Sequence, residues 1–462
     1  MIDFSMAKQI HIVGIGGVSN SAIAEILLSQ GYSVSGSDIN KSDITESLEQ
    51  KGVTVFYNHA PENLNQADYV VYTSAVSDDN PEIIAAHERH LPCVSRAEML
   101  GQIMSGYAES IAIAGTHGKT TTTSMVTRIF NDAKHDPTAL VGGYFSDIKS
   151  NVKLGKSDLF ITEACEYKEN FLSFYPKVGV ILNIDEDHLD YFHNLDQIVN
   201  AFVKFSGNIE DKGVLVLNGD DYNSRKILPY YKKKCITFGL SDKCDYIAKN
   251  IVYNTMGYPT FDVMHKDEKL CNLSLVIPGQ HNIYNALAAF IVGHLYIKDV
   301  DLIKTRLATF KNANRRFEWI GKTKDITIID DYAHHPNEIK ATLEAAARMA
   351  DINRIVCIFQ PHTYSRTKEL LNEFAGAFKS ASEVILCDIY AAREVDHGEV
   401  SSEDLMKAMM QEQVRVKHFD NFEAINDYIL QNALPNDLII TMGAGDVYKL
   451  SKTIFTSLSE QS

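Results

Sequence analysis

Short apolar runs rich in β-branched residues alternate with amphipathic stretches along the first hundred positions. Segments 10–13, 32–37 and 69–73 read as strands and 21–29 as a helix. That rhythm predicts βαβ units on a parallel sheet. It breaks at Gly101, Ser105 and Gly106. A second series begins with strands at 110–114, 159–163 and 178–184, continues through β-like segments across 212–276, and closes with a helix at 284–294. In the last third, strands at 326–330, 354–359, 383–388, 414–418 and 438–442 alternate with amphipathic stretches, the pattern of a doubly wound domain. The expected fold is α/β with three domains. They are a Rossmann-like N-terminal domain over 1–106, a central P-loop ATPase-like mixed α/β domain over 107–312, and a C-terminal doubly wound α/β domain over 313–462. A chain of 462 residues agrees, because single cores stop growing near ~250 to 300 residues.

Composition narrows the class. A hydrophobic share of 45% and a charged share of 23% fit an ordinary globular protein. The formal charge of −16 argues against a general grip on nucleic acid, whose phosphates require a surplus of Lys and Arg. It does not exclude a single nucleotide, which a few backbone N–H groups and one lysine can hold. The seven cysteines are scattered without a Cys-x-x-Cys pair, as reduced cytoplasmic thiols are. No signal peptide and no run of ~18 apolar residues is visible, so no membrane insertion is expected.

The first chemical signal is at 115–121. A strand at 110–114 runs into Gly115, Thr116, His117, Gly118, Lys119, Thr120 and Thr121, which open a helix. Strand, glycine loop and helix form the geometry in which backbone N–H groups cradle phosphate oxygens. Lys119 would reach the β and γ phosphates of ATP, and the Thr120 hydroxyl would ligate Mg²⁺. Ile113 stands where the standard pattern has its first glycine. The loop alone does not choose among ATPases, kinases and ligases.

Two carboxylate clusters follow at the ends of strands, Glu163 in 163–167 and the acidic run 185–190 that contains His188. Carboxyl ends of parallel strands are where α/β sheets place ligands, which would bring both clusters beside the phosphate loop. Thr120, Glu163 and His188 are therefore the candidate Mg²⁺ ligands. Taken singly, Glu163 reads as a cap or surface acid and His188 as a turn histidine. The phosphate loop is what lifts them above that.

The loop, Glu163, the Asn183-Ile184-Asp185-Glu186-Asp187-His188 run, His281-Asn282-Ile283-Tyr284-Asn285-Ala286, Arg315-Arg316-Phe317-Glu318 and Asp330-Asp331-Tyr332-Ala333-His334-His335-Pro336 resemble the successive signatures of the Mur ligase family. The paired His334 and His335, the stretch 359–367 and Met442-Gly443-Ala444-Gly445-Asp446 are closest to its alanine-adding branch. The resemblance covers nearly the whole chain in the expected order. It implies that Asn282 and Asn285 hold adenine, that Arg316 contacts ATP phosphates, and that Asp331 holds the ribose. It also implies that Tyr332, His334, His362 and Arg366 form an amino-acid pocket, where a guanidinium suits an α-carboxylate. Lys119, Glu163, His188 and Arg316 would carry the catalysis. Lys204 lies where sister ligases carry a carbamylated lysine, but this branch is not expected to depend on one.

The first glycine loop, 14–20, with Asp38 about twenty residues on, reads naively as a dinucleotide fingerprint. Ser19 replaces the third glycine, and a lone glycine-rich turn is weak grounds for an NAD site. The resemblance implies instead a UDP-sugar site at Gly16, Gly17, Ser21, Asp38, Ser74 and Arg96. Its substrates would be UDP-N-acetylmuramate and L-alanine, with ATP and Mg²⁺, in a monomer or homodimer. The rivals are a ligase adding a preformed tripeptide to the same sugar nucleotide, an NAD-dependent oxidoreductase, and a nucleotide-gated module without chemistry.

Overall fold

A computed structural model describes residues 7–460 except 74, 75, 78, 132, 133, 189, 190 and 393. Ser74 of the expected sugar-nucleotide site lies outside the described residues. Three sheets organise the chain.

The first sheet has five parallel strands in the order Thr54–Phe56, Ser33–Ser37, Gln9–Val13, Tyr69–Tyr72, Cys93–Ser95. Two of them, Thr54–Phe56 and Cys93–Ser95, escape a reading of hydrophobic pattern because they are three residues long. The strand order reverses beside Gln9–Val13, and such a switch point opens a crevice at the carboxyl ends of the strands. Helix Val18–Ser29 starts there, with Gly17 as its N-cap.

The central sheet has ten strands. Its middle strand, Glu109–Ala114, lies parallel between Val178–Ile181 and Leu159–Ala164, so the phosphate loop leaves the sheet flanked by both acidic segments. The region 212–276 resolves into Val214–Asn218, Lys234–Gly239, Tyr246–Tyr253, Pro259–His265 and Glu268–Ser274, the last three paired antiparallel. The hairpin Thr138–Phe145 and Ser150–Lys153 forms the opposite edge. Helix Gln280–Tyr296, longer than the 284–294 expected, is apolar nearly all round. Its Ile283, Leu287 and Phe290 join Met125, Val126 and Ile129 of helix Lys119–Phe130 in one buried cluster. A buried all-round helix of this kind fixes the phosphate-loop helix rigidly against the sheet.

The C-terminal sheet has six strands. Ile326–Asp331, Asp437–Met442, Arg354–Phe359, Glu383–Leu386 and Val416–His418 are parallel, and Glu318–Thr323 is an antiparallel edge strand. Along its strands alternate residues enter two clusters: Ile329, Cys357 and Phe359 face one side, and Ile328, Val356 and Ile358 the other. Both faces are covered by helices, which is the doubly wound arrangement.

Candidate active site

The phosphate loop has the backbone it needs. Gly115 and Gly118 have φ of 143° and 84°, and a Cβ on Gly118 would stand 2.5 Å from the Asn285 side-chain oxygen. Only glycine lets the loop turn there against helix Gln280–Tyr296. Asn183 latches the loop from the neighbouring strand, accepting from His117 N at 2.8 Å and donating to His117 O at 3.0 Å. The Lys119 ammonium donates to Thr116 O at 3.0 Å and to Glu166 at 2.8 Å. Burial opposes its charge, but the Glu166 carboxylate outweighs that and raises its pKa.

Glu163 ends its strand beside this loop. Its carboxylate accepts from Gly142 N at 2.5 Å and from the Thr120 hydroxyl. Burial pushes its pKa up, against the pull of Gly142, Thr120, Lys119 and Arg316. A buried carboxylate beside a hydroxyl at a phosphate site is an oxygen-donor set that fits a hard divalent cation. His188 has left-handed backbone at φ 56°, and its ring packs 4.6 Å from that of Tyr167. Lys204 is exposed and pairs with Glu169 at 2.8 Å, which raises its pKa and disfavours the neutral amine that carbamylation requires.

A cavity of about 250 Å³ opens between the central and C-terminal domains over the loop, lined by Gly118, Thr121, Asn282, Asn285, Arg316 and Asp331 among others. The two asparagines are held in place: Asn282 donates to Pro278 O at 2.7 Å and accepts from Asn285 at 3.0 Å. The two adjacent arginines differ sharply. Arg315 is committed to its own domain through Asp330 at 3.0 Å and Gly445 O at 3.1 Å. Both guanidinium groups lie over the Tyr332 ring, but Arg316 lines the cavity and feels the Glu163 charge. Asp331 accepts from Phe317 N and Ala333 N, both at 2.7 Å, yet burial raises its pKa to about 6.

A second cavity, about 420 Å³, is lined by Tyr167, Asp187 and His188 of the central domain and by His362 and Arg366 of the C-terminal domain among others. The Arg366 guanidinium contacts Asp187 at 3.1 Å and His362 Nδ1 at 3.2 Å, and its buried Nε has no partner. Burial lowers the pKa of both His334 and His362 to about 4, which keeps the rings neutral. Their ring centres are 5.9 Å apart, and Tyr332 stands 5.3 Å from His334. His188 thus joins the expected amino-acid residues His362 and Arg366 in one cavity.

In the first domain, Gly16 N donates to Asp38 at 3.0 Å, and a Cβ on Gly16 would meet that carboxylate at 2.7 Å. Asp38 therefore shapes the glycine loop from below. Ser21 returns its hydroxyl to Val18 O at 2.9 Å. Arg96 opens helix Arg96–Ser105 behind a Ser95 and Glu98 capping box, close enough to Cys165 to act on its thiol. Three residues without a sequence signal of their own also enter the site. Glu166 neutralises Lys119, Gly142 holds Glu163, and Glu338 joins His117 at 3.3 Å to Arg316 at 4.0 Å. Glu338 is three residues into a helix start, where a cap is the ordinary reading.

A phosphate loop, a neighbouring acidic strand end and two cavities lined by both the central and C-terminal domains fit a nucleotide-dependent enzyme better than a hydride-transfer enzyme. The chain belongs to the Mur ligase family. It matches the Mur ligase family catalytic domain over residues 9–108, the Mur ligase middle domain over 113–293 and the Mur ligase glutamate ligase domain over 315–445. It is 48% identical over 458 residues to a UDP-N-acetylmuramate–L-alanine ligase of Alkaliphilus metalliredigens, covering 98% of this chain and 99% of that one. A ligase of the same name from Clostridium perfringens is 47% identical over 445 residues, 96% of this chain and 97% of that one. The crystal structure of UDP-N-acetylmuramate-alanine ligase from Thermotoga maritima superposes with a TM-score of 0.81 at 28% identity, covering 98% and 100% of the two chains. A murein peptide ligase from Psychrobacter arcticus shares the fold at TM-score 0.72 and 24% identity, over 98% of this chain and 99% of that one.

Proposed function

We propose that this chain is a cytoplasmic, ATP-dependent ligase that joins L-alanine to the lactyl carboxylate of UDP-N-acetylmuramate during synthesis of peptidoglycan precursors. The observation that carries the reading is the near-complete collinear identity, 48% over 98% of the chain, with a relative of that name. Two cavities lined by both the central and C-terminal domains, one over the phosphate loop and one around Arg366, are consistent with it. Among the described residues no helix is long and apolar enough to cross a membrane.

A carboxylate resists attack by an amine, because it is an anion with no leaving group. ATP removes the obstacle: the lactyl carboxylate attacks the γ-phosphorus, ADP leaves, and an acyl phosphate forms. The alanine amine then attacks the acyl carbon and phosphate leaves through a tetrahedral intermediate. No protein nucleophile is needed, so the residues act by position and charge. Lys119 and Arg316 neutralise charge on the transferring phosphoryl group. Asn282 and Asn285 fix the base, and Asp331 fixes the ribose from the C-terminal domain. Thr120 and Glu163 would hold Mg²⁺, with His188 as a further ligand, and the ion would supply positive charge at the phosphates. Gly16, Gly17, Ser21, Asp38, Ser74 and Arg96 serve the sugar nucleotide.

In the second cavity His362 is neutral, as is His334 beside it, which leaves Arg366 as the cation for the alanine carboxylate. Closure of the C-terminal domain over the cleft keeps water from the acyl phosphate. The reading is tested by phosphate release. It should require both UDP-N-acetylmuramate and L-alanine, and release without either would sink it.

A further inference from the structure

One buried carboxylate is shared by three of the segments that the mechanism uses. The Glu338 Oε1 atom lies 3.3 Å from His117 Nδ1 of the phosphate loop and 4.0 Å from the Arg316 guanidinium. Its Oε2 atom accepts from His334 N at 3.1 Å and His335 N at 3.3 Å. The other nitrogen of His117 faces Asp185 Oδ2 at 3.3 Å. Asp185 is bonded in turn by Asn337 of the same helix start, and His335 Nε2 donates to Glu186 O at 2.8 Å. Three polar contacts therefore cross from the helix start at 335–338 to the loop and the acidic run of the central domain.

We infer that Glu338 is a positioning residue that locks the C-terminal domain onto the phosphate loop through His117 and aims Arg316 into the closed nucleotide cleft. The inference deepens the ligase reading and rests on it for the identity of the nucleotide. Both ring nitrogens of His117 face carboxylates, so the imidazole must carry two protons to satisfy them. Its pKa is accordingly raised to about 9: burial opposes the charge, and Asp185 and Glu338 overcome it. Glu338 is held ionised in spite of burial by the His117 and Arg316 charges and by the His334 and His335 N–H groups. An ion pair across a cleft favours the closed arrangement only while both charges are present, and a ligand that fills the cleft selects that arrangement.

A helix cap is the competing explanation, and chemistry separates the two. Glutamine at 338 keeps an oxygen for the His334 and His335 N–H groups but removes the charge seen by His117 and Arg316. Glu338→Gln should therefore leave the melting temperature close to wild type while turnover falls and the KM for ATP rises about tenfold or more. The chain has a single tryptophan, Trp319, which lines a cavity between the central and C-terminal domains with Tyr258, Pro278 and Phe317. Its fluorescence reports closure directly. In wild type a non-hydrolysable ATP analogue should change the Trp319 signal, and in Glu338→Gln that change should need about tenfold more analogue. His117→Asn removes the same pair from the loop side and should show the same loss, and the double variant should be no worse than either single one. Wild-type fluorescence titration and KM in Glu338→Gln, or fully multiplicative losses in the double variant, would overturn the inference. The fluorescence arm decides on Glu338 even if the proposed acceptors prove wrong, because it uses nucleotide alone.

Discussion

The Arg366 guanidinium lies 3.1 Å from the Asp187 carboxylate, so a C-terminal-domain cation meets the central domain's acidic run in the lining of the second cavity. Asp187 and His362 fix the orientation of the guanidinium. Replacing Arg366 by Ala should remove a charge-assisted contact of about 1.5 to 3 kcal/mol with the α-carboxylate. Steady-state kinetics should show the L-alanine KM raised about tenfold or more, with ATP and UDP-N-acetylmuramate constants little changed. Arg366→Lys should recover only part, since an ammonium cannot form the two-bond fork. An unchanged alanine KM in Arg366→Ala would remove Arg366 from the pocket.

Lys119 is paired with Glu166, whose side chain is only 2% exposed. Lys119→Ala should abolish phosphate release, and it should also destabilise the chain by about 3 to 5 kcal/mol, because it strands a buried carboxylate. Adding Glu166→Gln should restore most of the melting temperature without restoring activity. Recovery of turnover in the double variant would show that Lys119 serves the fold and not the phosphoryl group.

Much of this was legible in the sequence because the chemistry is local. Gly115 to Thr121 form one continuous loop and helix start, and the strand that feeds it ends in the apolar run 111–114. The end of a buried parallel strand likewise pointed to Glu163, while Asp331 came from the family resemblance. Residues whose role depends on a partner far along the chain gave no such signal. Glu338 meets His117 across 221 positions, and Gly142 reaches Glu163 from strand Thr138–Phe145, whose Gly142 and Gly143 disguise it as a loop. The edge strand Glu318–Thr323 was hidden for a related reason. It is half exposed and mixed in polarity, so its pairing with Ile326–Asp331 and not its pattern makes it a strand.

The N-terminal domain carries a buried acid that the reaction does not use. Glu82 is fully buried and bonds Ser37 at 2.5 Å, His59 at 2.9 Å and Asn63 at 2.7 Å. Burial pushes its pKa up, but bonds from His11, Ser37, Asn63 and His59 outweigh it and bring the value to about 2. A carboxyl depressed in the folded state contributes stability that is present above its unfolded value near 4.5 and is lost as pH falls toward 2. The contribution is about 3 kcal/mol at neutral pH. In urea unfolding, Glu82→Gln should be clearly less stable than wild type at pH 7, with the gap shrinking from about pH 5 toward pH 3. A gap independent of pH would show that Glu82 is not ionised in the fold.

The glycine loop at 14–20 should select a UDP-sugar over a dinucleotide, since Ser19 replaces the third glycine. Calorimetry on the full chain should give heat with UDP-N-acetylmuramate and none with NAD. Binding of NAD alone would reassign the first domain.

The central claim is amide-bond formation between one amino acid and one sugar nucleotide, and mass analysis of the product tests it most directly. Incubated with ATP, Mg²⁺, UDP-N-acetylmuramate and an equimolar mixture of L-alanine, other L-amino acids and the preformed tripeptide, the protein should yield UDP-N-acetylmuramoyl-L-alanine, with one phosphate released per adduct. Formation of the tripeptide adduct in preference to the alanine adduct, or ATP turnover without any adduct, would contradict the account.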